Sequence, residues 1–172
     1  MNIPDNLLYT KDHEWILVDG DTATVGISDH AQTALGDITF VEPPTPDLEV
    51  SVGDEVCSIE SCKAAASVYA PVAGTVVEFN EALDDRPELV NESPYDKGWL
   101  FTVEPVSLRK NLKSLYFGED AHRYIHEERD KLFAMANQDL QIAADGGESA
   151  EDIFEEMEGD DWAGFAKKFF KT

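Results

Sequence analysis

Basic residues are scarce in this chain. Lys and Arg number 13 against 36 Asp and Glu, a formal charge of -23 over 172 residues. A field of that sign repels phosphate backbones and anionic lipid, which excludes nucleic acid and a membrane surface as partners. No run approaches the roughly 20 apolar residues that a membrane span requires. The opening Met1-Asn2-Ile3-Pro4-Asp5 lacks both the basic region and the apolar core of a secretory signal. Cys57 and Cys62 are the only cysteines, too few for a disulfide framework, and they point to a reduced, cytoplasmic setting. The acid excess suits a saline habitat equally well. Catalytic signatures are missing too: there is no G-x-S-x-G, P-loop, H-E-x-x-H or CxxC. The expectation is a non-enzymatic protein without a metal site.

What is present is a succession of short strands and tight turns. A chain this long buries roughly two-thirds of its unfolded surface, so one core suffices. Trp15 to Val18 and Thr22 to Ile27 read as strands around the turn Asp19-Gly20-Asp21. Ser28 or Asp29 caps a short helix that runs to Leu35 and is closed by Gly36. Ile38 to Val41, Glu55 to Glu60, Ala65 to Ala70, Thr75 to Asn80 and Trp99 to Glu104 read as further strands. Pro43-Pro44-Thr45-Pro46 must be a loop, because proline removes ladder donors. With one short helix among these strands, the first hundred residues predict a mostly β barrel or sandwich. Gly53-Asp54-Glu55-Val56 and Gly74-Thr75-Val76-Val77 echo one another, which suggests two β units related by a pseudo-twofold axis.

Lys63 stands out within this pattern. Between Lys11 and Arg86 it is the only cation, and it lies between two strands in Glu60-Ser61-Cys62-Lys63-Ala64-Ala65-Ala66-Ser67. A four-carbon stem at a hairpin tip presents its amine to solvent, where a modifying enzyme reaches it.

The hairpin closely resembles the lipoyl-lysine hairpin of glycine cleavage system H proteins, whose pattern is close to E-S-V-K-A-x-S-D-x-Y-x-P. The resemblance covers residues 3 to about 125. Tyr9-Thr10-Lys11-Asp12-His13-Glu14-Trp15 is similar to the family's opening, and Val25 to Gln32 with Leu35-Gly36-Asp37 to its next block. Asn80 to Leu83, Pro87 to Asn91, Ser93-Pro94-Tyr95 and Gly98-Trp99-Leu100 follow in family order. The resemblance implies a lipoyl-domain-like barrel-sandwich hybrid with a short inserted helix and a helical C-terminal extension. It implies lipoate joined by an amide to Lys63, and a monomeric carrier served by a lipoate ligase or lipoyltransferase. That carrier would shuttle an aminomethyl group between glycine decarboxylase, aminomethyltransferase and lipoamide dehydrogenase. By position, Glu60 and Gly74 are the residues the ligase reads. Glu14, flanked by Asp12 and His13, is the candidate for a cleft that shields the loaded arm. His13 and His30 serve equally well as capping or packing residues.

Departures from the family pattern matter. Cys62 replaces the usual Val before the lysine, either as a small hydrophobe or as a thiol that exchanges with the lipoyl disulfide. Ala66-Ser67 replaces Ser-Asp, so Ser67 stands where the cleft would otherwise hold an acid. These changes keep a second reading open. H-like lipoate-binding proteins also serve sulfur oxidation by a heterodisulfide-reductase-like complex, where the dithiol carries sulfur intermediates. Cys57, an odd number of residues from Cys62, falls on the opposite strand face and reads as core.

The remainder divides at about residue 130, giving a carrier domain over 1–130 and an acidic linker with an amphipathic helix over 131–172. Leu108 to Tyr116 resembles the family's last helix, and Ala121 to Met135 is helical by periodicity. His122 and His126 lie one turn apart, either a solvated face or half of a metal site. Asp145-Gly146-Gly147 marks a joint. Trp162, Phe165, Ala166 and Phe169 then fall at i, i+3, i+4 and i+7, the pattern of a helix that packs on its own barrel or docks on a partner.

Overall fold

The computed structural model describes residues 1–139. Strands β1 (Leu8–Tyr9), β2 (Glu14–Asp19) and β3 (Thr22–Ile27) lead into helix α1 (Asp29–Leu35). Strands β4 (Ile38–Val41), β5 (Glu49–Val50), β6 (Glu55–Ser61), β7 (Ala65–Tyr69) and β8 (Gly74–Phe79) follow. Short helices α2 (Ala82–Asp85) and α3 (Leu89–Glu92) precede β9 (Phe101–Pro105). Helix α4 (Leu108–Asn111), a 3-10 turn (Leu112–Ser114), β10 (Tyr116–Phe117) and the long helix α5 (Glu119–Asp139) complete the described chain. A seven-stranded sheet runs β10-β1-β2-β3-β9-β8-β5, and a three-stranded sheet runs β4-β6-β7. This is the mostly β barrel-sandwich architecture expected. No described helix is long and apolar enough to cross a membrane.

One core lies between the sheets. Ile16, Val25 and Val103 meet Ile59, Val68 and Val41, joined by Leu35 from α1 and Leu100 before β9. β3, β7 and β9 turn alternate apolar residues inward, which is the period-2 pattern of the sequence. A second core lies under α5, where Ile3, Leu7, Tyr9 and Trp15 pack against Ala121 and Ile125. Trp15 needs Gly26 directly opposite it, since a Cβ there would lie 2.5 Å from the indole ring. Its Nε1 donates to the Pro94 carbonyl at 3.0 Å. β2 is therefore buried on both faces where it begins: Glu14, Trp15 and Ile16 are all inside.

Local signals set several boundaries. The Ser28 side chain accepts from Ala31 N–H and starts α1; Gly36, at φ 77°, ends it. The structure departs from the sequence reading in several places, including the two-residue strands β1 and β5 that alternation could not reveal. α2 and α3 were not expected; each is a single turn, too short for apolar periodicity to reveal. The helix expected over Leu108 to Tyr116 stops early, and Tyr116 becomes a strand residue because β1 offers it a free edge. The glycine echo is not a repeated turn. Gly53 sits at φ 87° in a true turn before β6, whereas Gly74 begins β8 in the other sheet. α5 passes residue 131 unbroken, with Leu132 buried. The glycine joint, the acidic linker and the apolar repeat from Trp162 lie outside the described residues.

Candidate functional site

The Lys63 hairpin is built by β6 and β7. Glu60 pairs with Ala65, and Cys62 and Lys63 form the two-residue apex, both exposed. Ser61 pins this turn. Its backbone N–H donates to Ala64 O at 2.8 Å, and its hydroxyl accepts from the N–H groups of Lys63 (3.2 Å) and Ala64 (3.0 Å). A serine before a tight turn is the local signal that foretells this peg. Glu60 is exposed beside the apex, and Cys57 is buried at the opposite face of β6. Burial pushes the Cys57 thiol far up, so it stays protonated and inert, while Cys62 is exposed next to Lys63.

From the apex, Ala65, Ser67 and Tyr69 share the outward face of β7, while Ala66 and Val68 point into the core. Ser67 is half-buried on that path, opposite Ser58. The path ends at a cleft of about 590 Å³ lined by Asp12, Glu14, Val52, Tyr69, Pro71 and Tyr116, among others. Glu14 is its deepest acid, only 2% exposed. The Glu14 carboxylate accepts from Tyr69 N–H at 3.0 Å and from the Thr10 hydroxyl. The Thr10 Oγ also accepts from the N–H groups of Asp12 (3.2 Å) and Glu14 (3.1 Å), so one threonine shapes the whole turn. Burial raises the Glu14 carboxyl above the usual carboxylate range, against the pull of these hydrogen bonds.

The structure thus brings Glu14 and Asp12 to one cleft, with Ser67 on the strand that leads there. His13 goes elsewhere. At φ 71° in the turn, it faces the core under α5, its ring 4.9 Å from His30 and 5.9 Å from Tyr124. Both His13 and His30 are buried, and their rings touch in this interior rather than line the cleft. Gly74 is buried, and a Cβ there would sit 2.2 Å from the Glu104 carbonyl, so its visible role is close backbone approach. His122 Nε2 lies 2.7 Å from the Asp5 carboxylate. Among the described residues, no group of three His, Cys, Asp or Glu side chains is placed to hold a metal. A larger cleft of about 690 Å³ beside Pro43 to Pro46 shares no lining with the hairpin or with Glu14. Sequence reasoning missed Thr10, Tyr69 and Tyr116 as cleft residues. Tyr69 acts through its backbone and Tyr116 arrives through β10, and neither role leaves a local pattern.

Residues 7–128 match the profile of the family described as glycine cleavage H-protein. This chain belongs to that family. The glycine cleavage system H protein of Geobacillus kaustophilus is 49% identical over 127 residues, covering 74% of this chain and 99% of the relative. That of Halothermothrix orenii is 50% identical over 127 residues, covering 74% and 98%. The crystal structure of a Mycobacterium marinum glycine cleavage system H protein superposes with a TM-score of 0.61 at 35% identity, covering 73% of this chain and 98% of that one. None of these names favours the sulfur-carrier alternative.

Proposed function

We propose that this chain is the non-enzymatic lipoyl carrier of glycine cleavage, with lipoate held in amide linkage to Lys63. The observation that carries the reading is the single lysine at an exposed hairpin apex, joined by one strand face to a cleft with a buried carboxylate. The residues present suit the group. The Lys63 amine stands where an acylating enzyme reaches it, and acylation removes its charge, so the arm is not held to the acidic body. When bound, lipoate supplies a dithiol that takes up and releases a carried aminomethyl group.

The chain's own residues do the rest. Ser61 keeps the apex rigid, so the arm starts from one defined point. Asp12 and Glu14 provide carboxyl groups toward a cationic methylamine nitrogen, and the half-apolar cleft limits access of water to it. Ser67 leaves the hairpin face without the acid that the family pattern places there, so Glu14 bears more of that task. Glycine decarboxylase, aminomethyltransferase and dihydrolipoamide dehydrogenase are the partners this itinerary requires.

Intact-mass measurement of protein from its native host tests the proposal. A lipoyl adduct is expected on the wild-type chain and none on Lys63→Ala. The lipoylated protein is then expected to sustain glycine decarboxylase and aminomethyltransferase turnover. An unmodified wild-type chain, or a modified one inert with both enzymes, would overturn the reading.

A further inference from the structure

β4 reads Ile38-Thr39-Phe40-Val41, and strict alternation would put Ile38 and Phe40 on one side of the strand. Ile38 is buried, yet Phe40 is 46% exposed. The cause is a register slip: Ile38 pairs with Ser61, Phe40 with Glu60 and Val41 with Ile59, leaving Thr39 as the extra residue. Such bulges re-aim side chains. Here the bulge sends a phenyl ring into solvent, which withholds the favourable burial of its apolar surface.

The ring does not emerge at random. Residues directly opposite on antiparallel strands share a face, so Phe40, Glu60 and Ala65 form one row across β4, β6 and β7. That row abuts the Cys62-Lys63 apex. Glu42, exposed two residues beyond Phe40, accepts from the Ser58 hydroxyl at 2.9 Å and adds a second carboxylate to the same face. The other strongly exposed aromatic among the described residues, Phe117, pairs with Leu8 in the seven-stranded sheet, away from this row.

We propose that Phe40, flanked by Glu60 and Glu42, is the anchor on which the enzyme that acylates Lys63 docks. The inference rests on the carrier reading above. Any enzyme that reaches the Lys63 amine must enclose the apex, yet a hairpin tip alone is far smaller than the roughly 800 Å² a stable partner covers. The footprint therefore continues along a neighbouring face. The outward row offers what an interface centre uses, an aromatic ring amid polar groups. Its chemistry specifies an acyltransferase with an apolar pocket for the ring and cationic side chains beside it for the two carboxylates. Glu60 is then not read alone but together with the ring beside it.

The test uses the unmodified full chain with a lipoate–protein ligase, lipoate and ATP, following adduct formation by intact mass. Phe40→Ala and Phe40→Lys are compared with wild type and with Phe117→Ala, and the melting temperature of each is recorded. Both Phe40 variants are expected to lose about tenfold or more in kcat/KM, carried by KM, at wild-type melting temperature. Phe117→Ala is expected to be acylated at the wild-type rate. Wild-type kinetics for both Phe40 variants would overturn the inference and leave the carrier reading standing. So would losses that track a fall in melting temperature. Absence of any adduct on the wild-type chain would overturn the carrier reading, and this inference with it.

Discussion

His13 and His30 lie in the interior, and their charge is governed by that burial. Loss of hydration lowers the imidazole of His13 to about 4 and that of His30 to about 3, with His13 adding to the effect on His30. Asp29, Glu128 and Arg129 also face His30. Both rings are neutral at pH 7. The unfolded chain binds protons at these sites near pH 6.5, the folded chain only near 4 and 3, so the folded state holds fewer protons in between. Their contribution to stability is complete above pH 6.5 and is lost as pH falls toward 3. For His13 it is on the order of 3 kcal/mol. His13→Asn keeps a residue that tolerates the positive φ and removes the titration. Denaturant unfolding between pH 7 and pH 4 is expected to give a shallower acid decline for this variant; an unchanged slope would refute the account. Glu14 works in the opposite sense. Its raised pKa means the folded state holds the extra proton, so its contribution weakens as pH rises. Gly74 supplies a second prediction at this scale. Gly74→Ala drives a methyl group into the Glu104 carbonyl and is expected to cost about 2 kcal/mol by urea denaturation. If packing is its whole role, the folded variant is acylated at Lys63 at the wild-type rate.

Among the elements, β7 joins the two halves of the proposed device. Its inner residues, Ala66 and Val68, hold it to the core, while its outer residues run from the apex toward the cleft. Its last residue, Tyr69, donates the backbone hydrogen bond that holds Glu14. α5 has the complementary duty on the far side. Ile125 and Ala121 cover Trp15, and Tyr124 donates to Lys11 O at 2.6 Å while stacking on Tyr116 at 4.2 Å. The helix thereby fastens the turn that carries Asp12 and Glu14. Ile125→Ala is expected to destabilise by about 2–4 kcal/mol, read as a lower melting temperature. Trp15 fluorescence should shift to the red with it, since the indole then meets water. A stability loss without that shift would place the damage elsewhere.

At the scale of the whole molecule, the two cores share out the work. The inter-sheet core sets the hairpin, and the core under α5 sets the floor of the cleft. Lys63 is the lone cation between Lys11 and Arg86, so an uncharged arm leaves this stretch uniformly acidic. A surface of one sign repels a second copy of the same surface and attracts a partner of the opposite sign. The effect is screened by salt. Association of the lipoylated chain with its glycine cleavage partners is therefore expected to slow as ionic strength rises, measured as kon by stopped flow. A rate indifferent to salt would show that the acidic field does not steer the encounter.

Much of this was legible in the residues themselves. Period-2 alternation gave the long strands, Ser28 and Gly36 bounded α1, and Cys57 reads correctly as core. Cys62, by contrast, is exposed because it sits in the turn beyond β6 rather than on the strand's other face. Lys63 at an apex could be read because turn chemistry is local. Tertiary structure alone decided the rest, because it depended on partners distant in the chain. The turn from Thr10 to Glu14 sends Glu14 to the cleft and His13 inward, a choice made by packing under α5. The bulge in β4 reverses the face of Phe40 through pairing with β6. Hydrogen bonding between strands far apart in sequence leaves no mark in the local pattern, and it is there that the cleft and the docking row were made.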